Sequence, residues 1–141
     1  MSEEFDLDAF LPYQISAAAA RISRDFAVLY EKTFGLAPTE WRVLAHLSQQ
    51  DEVSIRDIHF RIDMDKSKAS RAASRLEDIG LVAKVLNPDD RRLVCLSLTE
   101  EGREMVKQIT PIANAFQSEL SELIGKDMDS FQRSLKKILN R

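Results

Sequence analysis

Between Lys66 and Arg75 the chain interleaves cations, short hydroxyls and alanines: Lys-Ser-Lys-Ala-Ser-Arg-Ala-Ala-Ser-Arg. On a helix, at about 100° per residue, Ala69, Ala72, Ala73, Leu76 and Ile79 fall on one side. Ser67, Arg71, Ser74 and Asp78 fall opposite, flanked by Lys68, Ser70 and Arg75. Such an outward face suits hydrogen bonding to base edges in a groove about 12 Å wide, with small residues for close approach and an arginine for guanine O6 and N7. Because the N-terminal part of a reading helix meets bases, we assign Ser67, Ser70 and Arg71 to bases. Lys66, Lys68 and Arg75 are assigned to phosphate, Ser74 completes the outward set, and Asp78 is expected to point away. A solvated surface helix would carry the same pattern, so this stretch alone does not decide. A second charged group, Asp89-Asp90-Arg91-Arg92, follows shortly after. There a cationic turn could enter a minor groove, with an aspartate orienting the guanidinium beside it.

These residues need elements to hold them. Ser54-Ile55-Arg56-Asp57 has the form of a capping box and opens a short helix with Ile55, Ile58 and Ile62 inward. Asp63-Met64-Asp65 makes a turn, and Asp65 caps a helix over 66–79 that stops at Gly80. Helices over 55–62 and 66–79 with a three-residue turn have helix-turn-helix dimensions. After Gly80 the period changes from 3.6 to 2, and Leu81–Leu86 and Leu93–Leu98 read as a hairpin around Asn87–Arg92. A hairpin directly after a helix-turn-helix is a wing, which places Asp90, Arg91 and Arg92 at its tip and disfavours a merely solubilising turn.

Longer helices flank this unit. Leu11, Ile15, Ala18, Ile22, Phe26 and Leu29 step by three and four between Asp8 and Thr33, a helix of about 39 Å ended by Phe34-Gly35. Another begins at Pro38, with Trp41, Leu44 and Leu47 inward. From Thr99 a third carries Met105, Ile109, Ile112, Phe116, Leu120 and Leu123 on one face; Pro111 within it predicts a kink or a split. A last helix after Gly125 carries Phe131, Leu135 and Ile138. The predicted order is α-α-α-α-β-β-α-α, mainly α with a small β-hairpin. The apolar stripes at both ends exceed what one small lobe can cover, so burial between two copies is expected.

The 141 residues are 44% hydrophobic and 30% charged, a globular composition. Net charge is −3, which argues against a generic polyanion binder. The charge is nonetheless uneven: residues 1–53 hold 4 basic and 9 acidic side chains, residues 54–92 hold 9 and 7. Between Lys66 and Lys84 five cations face two anions, a local footprint for phosphate. One cysteine excludes a disulfide framework. No apolar run reaches membrane-span length and the N-terminus is acidic, so a cytoplasmic protein without a membrane is expected. His46 and His59 lack partners at metal-ligand spacing, and no phosphate-binding glycine loop or nucleophile elbow occurs. The expectation is no enzyme, no metal and no cofactor. Cys95 reads as a small strand residue. Trp41, Tyr30, Tyr13 and Phe26 read as core or interface aromatics.

The run Asp65-Lys66-Ser67-Lys68-Ala69-Ser70-Arg71, with Arg75-Leu76-Glu77, Gly80-Leu81-Val82, Asn87 to Arg92 and Leu96 to Gly102, resembles the winged helix-turn-helix core of the MarR family of transcriptional regulators. Asp90-Arg91-Arg92 matches the family's D-x-R wing element, Leu98 to Gly102 its L-T-x-x-G helix start, and Leu36 to Leu44 the start of its second helix. Ala37 departs from a frequent capping Thr or Ser, and Asn87 from a frequent Asp. The resemblance covers nearly the whole chain. It implies one domain over 1–141, with a winged helix-turn-helix lobe over 36–98 and dimerisation helices over 8–34 and 99–141. It further implies a homodimer on a pseudo-palindromic operator in double-stranded DNA, acting as a ligand-responsive repressor. A small aromatic or phenolic effector would bind between dimer helices and reading lobe, where Tyr30, Arg42 and His46 are the candidate contacts. The competing reading is a winged-helix protein-interaction module without DNA binding.

Overall fold

The computed structural model describes residues 3–86, 89 and 94–141. A 3-10 turn at Leu7–Ala9 leads into α1 (Leu11–Phe34), followed by α2 (Pro38–Gln49), β1 (Val53–Ser54), α3 (Ile55–Arg61) and α4 (Lys66–Asp78). Then come β2 (Val82–Leu86), β3 (Val94–Leu98), α5 (Glu100–Ile124), a 3-10 turn at Gly125–Asp127 and α6 (Met128–Leu139). The helices and the hairpin match the expected order. One strand is additional: β1 pairs antiparallel with β3 through Val53–Leu96 and Ser54–Cys95, giving a sheet of order β1-β3-β2. Two residues are too few to show a period, so β1 left no signal in the sequence.

Local chemistry accounts for the boundaries. Gly35, at φ 68°, ends α1 and donates its N–H to Glu31 O at 2.8 Å. Ala37 offers no side-chain oxygen to cap α2, but Glu40 reaches back to accept the Ala37 N–H at 2.8 Å. Ser54 and Asp65 cap α3 and α4, accepting from Arg56 N–H and Lys68 N–H. At the far end of α4, Gly80 takes φ 82°, its N–H bonding Glu77 O and that of Leu81 bonding Leu76 O, a Schellman motif whose apolar pair is Leu76 and Leu81.

Thr99 seats α5 on this corner. Its hydroxyl donates to Gly80 O at 2.7 Å and accepts from Gly102 N–H at 3.0 Å, while its own N–H reaches Leu81 O at 3.1 Å. Gly102 is buried, and a methyl group there would overlap the Leu81 carbonyl oxygen. The L-T-x-x-G spacing is therefore a packing requirement. Of the kink or split expected at Pro111, the split does not occur: α5 is one helix from Glu100 to Ile124. Lys107, whose carbonyl loses its helical donor to the proline, and Pro111 itself are both exposed, so water can serve that carbonyl.

The core gathers Tyr30, Leu36, Val43, Leu44, Ile58, Leu76, Leu96 and Ile109, each at most 1% exposed, from α1, the α1–α2 connection, α2, α3, α4, β3 and α5. Among the described residues, nothing covers the outer stripe of α1. Leu11, Ile22 and Leu29 remain exposed, as do Leu123 on α5 and Phe131 on α6. Among the described residues no helix is long and apolar enough to cross a membrane.

Candidate nucleic-acid interface

Helix α4 divides as its spacing predicts. Ala69, Ala72, Ala73 and Leu76 are buried against the core. Lys66, Ser67, Lys68, Ser70, Arg71, Ser74 and Asp78 are exposed. Ile79, expected inward, is 46% exposed, because the helix ends at Asp78 and the chain turns away at the cap. Three alanines inward bring the backbone of α4 close to the lobe, and the hydroxyls and cations outward leave nothing bulky between the helix and a groove. Lys84 on β2 pairs with Glu77 at 3.4 Å, tying the root of the hairpin to α4. Asp90, Arg91 and Arg92, at the expected tip, lie outside the described residues.

Arg75 has a different environment from the other cations. Its Nε lies 3.0 Å from Glu40 Oε2, and its Nη2 donates to Gly35 O at 3.1 Å. The Glu40 side chain is 5% exposed and that of Arg75 50%. Thr39, Glu40, Lys68, Arg71, Ala72 and Arg75 surround an open cleft of about 340 Å³. Glu40 was legible only as a first-turn carboxylate suited to the helix dipole. Its partner lies 35 residues away, and no local pattern connects them.

The candidate effector residues separate into two places. Arg42 and His46, with Trp41 and Ala45, form one wall of a cleft of about 350 Å³ completed by Arg61, Ile62 and Asp63 at the end of α3. His46 Nε2 is buried with no hydrogen-bond partner among the described residues. Burial, and then the nearby Arg61 charge, hold its pKa below the ordinary histidine value. Tyr30 does not line the cleft but lies behind its wall, against Trp41. It is 1% exposed, in an aromatic cluster with Phe26 (centroids 4.9 Å) and Trp41 (6.0 Å). Burial, reinforced by Glu31 and opposed by the nearby Arg42 charge, pushes its hydroxyl up to about 12. Arg61 is the cleft residue that sequence reasoning missed, since α3 showed only its isoleucine stripe.

Among the described residues no three His, Cys, Asp or Glu side chains converge as a metal site would require. Cys95 is half-buried in β3, opposite Val85.

The model of the MarR family matches residues 34–93, which span α2, the helix-turn-helix and most of the hairpin. The uncharacterised transcriptional regulator YdgJ of Bacillus subtilis is 25% identical over 113 residues, 80% of this chain and 66% of that protein. This chain spans two thirds or less of the length of the first curated relatives it matches. A MarR/EmrR family regulator from Acinetobacter sp. ADP1 superimposes with a TM-score of 0.86 at 26% identity, over 96% of each chain. The repressor CouR, solved on a 23-mer DNA duplex, superimposes with a TM-score of 0.81 at 24% identity, over 99% of this chain and 100% of that one.

Proposed function

Since this chain belongs to the MarR family of transcriptional regulators, we propose that it is a sequence-specific DNA-binding repressor that acts as a homodimer and answers to a small effector. The observation that carries the reading is the division of α4, with Ala69, Ala72, Ala73 and Leu76 inside and Ser67, Ser70, Arg71 and Ser74 outside. Ser67, Ser70 and Arg71 meet base edges; Lys66 and Lys68 meet phosphate; Asp90, Arg91 and Arg92 serve the wing, as the D-x-R match implies. That a fold neighbour, CouR, is a repressor seen on duplex DNA supports the DNA-binding reading.

The lobe over 36–98 does the reading, and the helices over 8–34 and 99–141 join two copies. The exposed apolar stripe of α1, with Leu123 and Phe131, supports the second copy. Two α4 helices then stand one duplex turn apart, about 34–36 Å. The cleft of Arg42, His46 and Arg61 takes the effector, and its two guanidiniums beside Trp41 favour an aromatic carboxylate. Repression follows when the dimer covers a promoter, and release needs only a change in the separation of the lobes. The protein works in the cytoplasm, where its DNA is.

Selection of bound sites from random duplexes tests the reading. A two-fold site with one-turn spacing and a steep log–log dependence of affinity on salt is expected. A flat salt dependence would instead favour a protein-interaction module.

A further inference from the structure

Three elements meet at one guanidinium. Arg75 belongs to α4, Glu40 to the first turn of α2, and Gly35 is the C-cap of α1. The fork of Arg75 grips both at once, at 3.0 Å and 3.1 Å. Glu40 is fully engaged as well: Oε1 accepts the Ala37 N–H at 2.8 Å while Oε2 takes Arg75. A buried carboxylate at a helix N-terminus is favoured by the dipole, and the Arg75 charge completes its partners.

The packing beneath explains what this contact adds. The buried face of α4 is mostly alanine, and a smooth face allows close approach but offers few knobs to resist rotation of the helix about its own axis. A forked arginine bond is directional where methyl contacts are not. Arg75 also sits one turn from Arg71, about 6 Å along the axis, on the same side of the helix. Fixing Arg75 toward α2 therefore fixes the azimuth at which Arg71 leaves α4.

Resting on the DNA-binding reading above, we propose that Arg75 and Glu40 form a positioning latch: Arg75 orients the reading helix through Glu40 and Gly35, and does not serve as a phosphate contact. The latch also links the end of α1, a helix of the dimer body, to the reading surface. A shift of α1 relative to α2 is thus felt directly by α4.

The test uses the full-length protein with Glu40→Gln, Arg75→Gln, the double variant and Arg75→Lys, each titrated with salt on a selected site and on mixed-sequence duplex. Glu40→Gln removes a negative charge near the polyanion, so a simple electrostatic role predicts tighter binding. The latch predicts the opposite sign: about tenfold weaker binding to the selected site, with mixed-sequence affinity held or raised. Arg75→Gln should weaken the selected site similarly without changing the salt slope. The double variant should be no weaker than either single one, and Arg75→Lys should recover part of the loss. A slope reduced by about 1.8 per dimer in Arg75→Gln, from one lost phosphate contact per copy, overturns the latch. Additive losses in the double variant overturn it too. A wild-type protein with no salt-dependent DNA binding overturns the underlying reading, and this is visible before any variant is made.

Discussion

Glu40, whose side chain is 5% exposed, holds the Arg75 guanidinium at 3.0 Å across the junction of α2 and α4. Two cations one helical turn apart on α4 thereby have unequal surroundings. Arg75, itself half exposed, is bonded to Glu40 and Gly35, whereas Arg71 lies on the exposed outward face.

Arg71→Ala is expected to cost about 1–3 kcal/mol of binding to the selected site and to relax preference at one base position per half-site. Site selection repeated with the variant checks this. An equal loss on every duplex would reassign Arg71 to phosphate.

Gly102→Ala tests the corner where α5 meets the end of α4. The added methyl overlaps the Leu81 carbonyl, part of the Schellman corner, and crowds Leu98 at the end of β3. Backbone must shift, and a loss of about 1–3 kcal/mol is expected in urea unfolding. A variant as stable as the wild type would show that the corner yields freely.

His46 sets a pH dependence. Its pKa is lowered in the fold by burial and then by Arg61, so the unfolded chain takes up the proton first as pH falls. Stability from this group is whole above the ordinary histidine pKa and is lost as pH falls through it toward the lowered folded value. Melting of wild type and His46→Gln at about pH 7.5 and about pH 5.5 should show the smaller acid loss in the variant. Parallel losses would remove His46 from the account.

A carboxylate in the Arg42–His46–Arg61 cleft should raise the His46 pKa again, because the anion favours the imidazolium. Benzoate binding near neutral pH is then expected to take up protons, seen by calorimetry in buffers of different ionisation enthalpy. His46→Gln should abolish the uptake. Binding without uptake in the wild type would place benzoate elsewhere.

Leu123 and Phe131 lie exposed on α5 and α6, at 82% and 48%. Replacing both with glutamate should halve the mass measured by light scattering while preserving helicity, because the charges fall where a second copy is expected to pack. An unchanged mass would move the dimer interface off these helices.

Much of this was legible along the chain because it depends on near neighbours. The two faces of α4 follow from the 3.6 period, its start from Asp65, its stop from Gly80, and the start of α5 from Thr99. These are interactions over two to five residues, and residue spacing encodes them directly. The wing could be placed but its tip, Asp90 to Arg92, lies outside the described residues.

Tertiary structure decided what depends on distance through space. It put Tyr30 in the core and Arg61 beside His46, added β1 to the edge of β3, and kept α5 one helix across Pro111. It also turned Arg75 toward Glu40 and Gly35, residues 35 and 40 positions earlier. A cation on an amphipathic helix announces its face but not its partner. That choice is made by whichever carboxylate and carbonyl the packed helices bring within about 3 Å, where a directional charged hydrogen bond replaces water.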